Sequence, residues 1–277
     1  MKEPVKILYI TQEITPYLPE NELASICREL PQYVQEQGFE IRIFMPCYGN
    51  INERRNQLHE VQRLSGMNLI IDDCDHPLII KVASIQSARM QVYFIDNEDY
   101  FRRRGTVTED DNVEYEDNDD RAVFYARGVL ETIKKLRWTP DIIHCHGWMT
   151  ALAPLYIKRA YNDDPFFKHS KIVYSLYADE FKGVFRDGFA GRVTTEGVTS
   201  EDLKSVTSNN VDFVALSKLA VDFSDVVVAA SPAVNAEVVA YAKNKAPETI
   251  FAPYTEDYKN GYMSVYSQLF PLLKEEA

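Results

Sequence analysis

The chain has 277 residues, with 42 acidic against 30 basic side chains and a formal charge of −12. That length suits one large α/β domain or two small ones with a sizeable core, and so acidic a surface repels the polyanionic backbone of a nucleic acid. No run approaches the ~18 uninterrupted apolar residues of a membrane span, and Met1-Lys2-Glu3-Pro4 lacks the apolar stretch of a signal peptide; the expectation is a cytoplasmic domain with no nucleic acid and no membrane among its partners.

Val5-Lys6-Ile7-Leu8-Tyr9-Ile10 is an apolar, β-branched run that predicts a buried first strand, followed by a polar loop with Pro16 and Pro19. Asn21 is placed to cap a helix running toward Gly38, with Leu23, Ile26, Cys27, Leu30 and Val34 at helical spacing. Pro31 is expected to kink or restart it. Phe39 to Met45 predicts a second strand, which completes a β-α-β opening. From 58 to 95 the pattern turns to short alternating strands and predicts a β-rich insertion.

Glu109 to Asp120 holds eight acidic residues in twelve. It reads as an exposed acidic loop, spanning 105–118, because burying that charge is prohibitive. The preceding Arg102-Arg103-Arg104 is expected to be cancelled by it. Asn118 or Asp119 can cap a helix with Ala122, Ala126, Val129, Leu130 and Ile133 on one face. There follow a strand at 141–145, a helix at 148–161, strands at 171–175 and 225–229, and a helix at 231–243. This alternation predicts an α/β fold with a doubly wound, mostly parallel sheet.

Gly183 to Gly197 carries four glycines in fifteen residues and reads as a mobile loop with solvated Arg186 and Arg192. The tail, 254–277, has Tyr262, Tyr266, Leu269 and Phe270 at helical spacing and reads as a packed last helix. Cys27, Cys47, Cys74 and Cys145 lack CxxC spacing and are expected to be reduced.

Six blocks stand in order along the chain. They are Lys6-Ile7-Leu8-Tyr9-Ile10-Thr11-Gln12-Glu13-Ile14-Thr15-Pro16, Met45-Pro46-Cys47-Tyr48-Gly49, Tyr93-Phe94-Ile95-Asp96-Asn97-Glu98-Asp99-Tyr100-Phe101, Asp117-Asn118-Asp119-Asp120-Arg121, Pro140-Asp141-Ile142-Ile143-His144-Cys145-His146-Gly147-Trp148-Met149-Thr150, and Ser224-Asp225-Val226-Val227-Val228-Ala229-Ala230-Ser231-Pro232. Together they resemble the bacterial glycogen synthase and plant starch synthase family, which transfers glucose from ADP-glucose to an α-glucan. The resemblance implies a Rossmann-like sheet of the GT-B N-terminal type, the acceptor side of a two-domain enzyme, as one domain over 1–277. It also implies that the donor-binding domain is missing in cis, since the length leaves no room for it.

Three loops depart from the family pattern. Pro19-Glu20-Asn21-Glu22-Leu23-Ala24-Ser25 stands where the family has K-T-G-G-L-x-D, Gly147-Trp148-Met149 where it has D-W-H, and Ser175-Leu176-Tyr177-Ala178 where it has T-I-H-N. Lysine supplies countercharge to a diphosphate and glycine permits close backbone approach, so the exchange is expected to weaken donor binding. The resemblance places Glu13, Tyr17, Asn21, Glu22, Asn118, Arg121, His146, Trp148 and Tyr177 at a glucan or nucleotide-sugar cleft, with His146 the best catalytic remnant.

Other chemistries find little support. His144 and His146 share a strand face but have no third ligand at recognisable spacing, the acidic run lacks EF-hand order, and neither a G-x-S-x-G elbow nor a G-x-G fingerprint occurs. No metal and no cofactor are expected. Trp148, Tyr177 or Tyr17 could stack on a sugar ring, although aromatics are also ordinary core material. The functional expectation is a domain without catalysis of its own that binds an α-glucan or a protein partner in glycogen metabolism. The alternatives are a hexosyltransferase completed by a separate donor-binding chain, and a regulatory subunit of an active glycogen synthase.

Overall fold

The computed structural model describes residues 3–103, 105–109, 111–208 and 210–275, with side chains described as far as Leu269. The strands are β1 (Lys6–Thr11), β2 (Glu40–Pro46), β3 (His59–Glu60), β4 (Met67–Ile71), β5 (Cys74–Ile85), β6 (Met90–Asp96), β7 (Ile142–His146), β8 (Lys171–Leu176), β9 (Val226–Ala229) and β10 (Ile250–Ala252). They line up as β10-β9-β8-β7-β1-β2-β6-β5-β3, parallel from β10 to β6, with β5 turning back antiparallel and β4 hairpinned onto it. Strands flanked by helices on both faces are largely apolar, which is why β1 is a near-continuous hydrophobic run rather than an alternating one. Ile7 to Ile10 and Ile142 to Cys145 are all fully buried.

The helices are α1 (Glu22–Glu36), α2 (Glu98–Phe101), α3 (Asn118–Leu136), α4 (Leu152–Lys158), α5 (Phe189–Val193), α6 (Phe213–Asp222), α7 (Ala236–Asn244) and α8 (Tyr258–Glu275). The chain order runs outward from β1 in one direction toward β2 and in the other toward β7. The order therefore reverses between β1 and β7, and crevices at such a switch point, beyond the strands' carboxyl ends, are where open α/β sheets hold ligands.

The doubly wound, mostly parallel sheet matches the sequence expectation, and several local expectations change. α1 runs unbroken through Pro31, whose ring is buried; that burial offsets the backbone hydrogen bond the residue cannot make. The predicted helix at 148–161 is a 3-10 turn at Trp148–Thr150 followed by α4, and the one at 231–243 begins only at Ala236, capped by Asn235. Within the β-rich stretch, β6 lies in the main sheet, parallel to β2.

The acidic run is not wholly a solvated loop. Asn118 and Asp119 are buried, with Asp119 at 0 % exposure. Arg186 donates from Nη2 to Asp119 at 2.6 Å and to Asp120 at 2.6 Å, while Arg192 donates to Asp119 and, from Nε, lies 2.9 Å from Asp120. Arg103 forks onto both oxygens of Asp117 at 2.5 Å, as the cancellation argument expected. Glu114 accepts from the Lys182 and Gly183 amides at 2.7 and 2.9 Å. The two arginines read as solvated are thus clamps, and Phe185, directly before the first, and Phe189, between them, are buried.

α8 seals one face of the central strands. Tyr262, Val265, Tyr266 and Leu269 are buried, as the tail's periodicity predicted; Phe270 lies outside the described side chains. The Tyr266 hydroxyl meets Tyr9 at 3.1 Å and His144 Nδ1 at 2.6 Å, and Tyr262 meets Ser175 at 2.7 Å. Cys27, Cys47 and Cys145 are buried and Cys74 exposed, all four as free thiols.

Candidate functional site

Beyond the carboxyl ends of β1 and β8 lies a cavity of about 260 Å³ lined by Gln12, Glu13, Asn21, Glu22, Leu23, Tyr177, Ala178 and Asp179. The first turn of α1 forms one wall. Asn21 caps it, accepting from the Ala24 amide at 2.7 Å and donating from Nδ2 to Glu13 at 2.6 Å. One of the amide donors that a bare helix start would offer an anion is therefore already engaged, and the neighbouring side chains are Glu13 and Glu22 rather than a cation.

The floor is set by the turn after β7. Gln12 donates its amide to the His146 carbonyl at 3.1 Å and accepts from the Met149 amide at 3.0 Å, while Asp179 accepts from the Trp148 amide at 3.0 Å. Gly147, at φ +84°, is enclosed by these groups: a Cβ there would lie 2.9 Å from Gln12 Oε1, 2.9 Å from Leu23 Cδ1 and 3.0 Å from Asp179 Oδ2. Burial, working against the amide bonds, raises the Asp179 carboxyl from 3.8 to about 6.

Of the residues singled out from sequence, Glu13, Asn21, Glu22 and Tyr177 meet at this cavity. His146 does not line it. It is fully buried behind Tyr177, whose hydroxyl bonds its Nδ1 at 2.7 Å, and its Nε2 has no partner. The Trp148 ring, at 1 % exposure, packs on Phe181 and Phe185, so it offers no stacking face to a sugar. Tyr17 packs edge-on against Phe94. Asn118 and Arg121 lie at the start of α3, where Arg121 donates to Asn118 and to the Thr106 carbonyl, both at 2.6 Å, beneath the rings of Tyr48, Phe101 and Tyr115. Burial pulls the Arg121 pKa down to about 10. Gln12, Ala178 and Asp179 were not singled out; their one signal was position, directly after predicted strand ends.

Among the described residues, Cys47, Glu53 and Asp96 bring ligand atoms within 4.8 Å of one another. Lys81 occupies that charge, 2.8 Å from Asp96 and 2.7 Å from Glu53, with Arg102 3.3 Å from Asp96. A second cavity, about 320 Å³, lies between the β9 and β10 ends and α8 and is lined largely by apolar groups including Phe251, Tyr258 and Val265.

The buried histidines make stability pH-dependent. Burial lowers His144 well below its ordinary value and His146 to about 3. Below the unfolded value of ~6.5 the unfolded chain takes up protons that the native state refuses, so stability present above pH 6.5 is lost as pH falls. Asp179, raised in the native state, opposes this between about 6 and 3.8. Asp120, also raised in the native state, opposes the loss as well, while Glu29 and Asp202, both lowered, add to it, so the two histidines leave a net loss as pH falls below ~6. Urea midpoints at pH 7.5, 6 and 5 should fall in that order; a midpoint rising from pH 6 to 5 would contradict the neutral buried pair.

A family model for the starch synthase catalytic domain matches residues 6–250. The chain belongs to that family. It is 35 % identical over 235 residues to the glycogen synthase of Pelodictyon phaeoclathratiforme, covering 84 % of this chain and 47 % of that one. With the glycogen synthase of Chlorobaculum tepidum it shares 39 % over 181 residues, 65 % of this chain and 37 % of the relative. The catalytic domain of Starch Synthase IV from Arabidopsis thaliana, bound to ADP and acarbose, superposes with a TM-score of 0.73 at 19 % identity, covering 91 % of this chain and 52 % of that one. The chain thus spans about half the length, or less, of the relatives it matches. The family fold is present. Among the described residues no helix is long and apolar enough to cross a membrane.

Proposed function

We propose that this starch synthase-like chain binds a neutral α-glucan and forms no glycosidic bond by itself. The observation that supports this reading is the cavity at the switch point: its lining offers three carboxylates and two amides and no lysine or arginine. Carboxylates and amide carbonyls accept hydrogen bonds from sugar hydroxyls. The same carboxylates repel a diphosphate by about 1–3 kcal/mol per charge pair at ~6 Å. At about 260 Å³ the space is also below the ~300–1,000 Å³ of sites for drug-sized ligands, which favours a sugar unit or two over a nucleotide sugar.

Calorimetric titration with maltoheptaose and, separately, with ADP-glucose tests the reading. Heat from maltoheptaose with none from ADP-glucose is expected. Saturable ADP-glucose binding, or glucose transfer to glycogen by the purified chain, would overturn it.

A further inference from the structure

We infer that Asp179 is the principal hydroxyl-accepting group of the cavity, its carboxylate standing where a side chain on residue 147 would project, so that sugar binding is coupled to the ionisation of this one residue. The inference rests on the glucan-binding reading above and names the residue that governs it.

Three observations carry it. First, the turn after β7 presents no side chain of its own: a Cβ on Gly147 would come within 3.0 Å of Asp179 Oδ2, so the position is filled from β8's end instead. Second, Asp179 is held without a counter-cation. Among the described residues it makes no salt bridge, and its donors are the Trp148 amide at 3.0 Å and its own amide. Backbone donors fix the carboxylate and leave lone pairs for further hydroxyls, since each carboxylate has about four acceptor sites. Third, the other two carboxylates are poorer anchors. Among the described residues Glu13 is held by the exposed Asn21 side chain, at 2.6 Å, rather than by backbone, and Glu22 is exposed on the first turn of α1.

The charged and titratable groups facing Asp179 come from every wall. Glu13 follows β1, Cys27 lies on α1, Tyr174 lies on β8 and Tyr177 directly after it, and Glu180 is the residue next to Asp179. His146 stands behind Tyr177. Burial pushes Cys27, Tyr174 and Tyr177 well up and pulls His146 down to about 3, so all four are neutral between pH 5 and 7.5. Within that window Asp179, raised to about 6, changes charge. A sugar hydroxyl donating to the ionised form lowers that value further and releases a proton on binding.

The test is maltoheptaose titration of wild type and Asp179→Asn between pH 5 and 7.5, in buffers of different ionisation enthalpy. Asparagine keeps one carbonyl oxygen for the Trp148 amide, and near-ultraviolet circular dichroism confirms the fold. Wild-type affinity should rise by up to about tenfold between pH 5 and 7.5, as the ionised fraction of a carboxyl titrating near 6 grows from about a tenth to nearly all, with proton release near pH 6. Asp179→Asn should bind roughly tenfold or more weaker at pH 7.5, as loss of a hydrogen bond to a charged group implies, and lose the pH dependence. Wild-type binding independent of pH, or an Asp179→Asn variant with the wild-type profile, overturns the inference alone. No maltoheptaose binding by the wild type at pH 7.5 overturns the inference together with the glucan reading.

Discussion

Gly147→Ala is expected to destabilise the chain by about 3 kcal/mol and to close the cavity at the switch point. At φ +84° and ψ 162° the residue sits in a region that is essentially reserved for glycine, and holding another residue there costs about 1–3 kcal/mol. The added methyl would also lie 2.9 Å from both Gln12 Oε1 and Leu23 Cδ1, and such overpacking costs a further ~1–3 kcal/mol. Relief requires Gln12 or Asp179 to move, and both accept amide bonds from the turn itself. Chemical denaturation gives the stability and calorimetry the glucan affinity. A variant as stable as the wild type would show that the turn can open without cost, and would contradict the close packing described around it.

The second large effect is expected at Asp119. Asp119→Asn should cost about 3 kcal/mol, because removing one partner from a buried ion pair typically costs ~3–5 kcal/mol. The lower end applies, since Arg186 is 42 % exposed and Asp120 remains to hold both guanidinium groups. The Arg192 side chain, at 9 % exposure, cannot turn to solvent as readily and carries most of the loss. The amide that replaces the carboxylate also turns an NH2 toward donors. Urea unfolding measures the loss, and amide hydrogen exchange in 183–193 should quicken well beyond that in β1. A cost under ~1 kcal/mol would mean that Asp120 alone suffices to hold the clamp.

The fold was legible in the sequence to the extent that local pattern determines it. The apolar runs at Ile7–Ile10 and Ile142–Cys145 could only be strands covered on both faces, and Asn21 before an apolar periodicity could only open a helix; both proved correct. Pairings over long range were not legible. Arg186 and Asp119 are 67 positions apart, and each lies in a stretch whose composition alone reads as solvated. Charge counts describe an average environment, whereas a clamp depends on which two loops the topology brings together.

The site was partly legible for the same reason. Glu13, Asn21 and Glu22 flank a strand end and the helix start that follows it, so their meeting could be anticipated. Asp179 follows Ala178 without any pattern, and its place is defined by a glycine in the turn after a different strand. Trp148 and His146 do not line the cavity because a motif gives residue order and not orientation: the Trp148 amide bonds Asp179 while its ring packs on Phe181 and Phe185, and the Tyr177 hydroxyl bonds His146.

The hydroxyls of Tyr9 and Tyr266 touch across 257 positions of sequence. Contacts of such separation form late, because the closure entropy of the whole intervening chain must be overcome before they contribute. On the ribosome, β1, β7 and β8 emerge long before the helix whose tyrosines bond His144 and Ser175. A nascent chain halted short of Tyr258 therefore carries an open polar seam along its central strands, His144 and Ser175 included, which the docking of α8 then closes over.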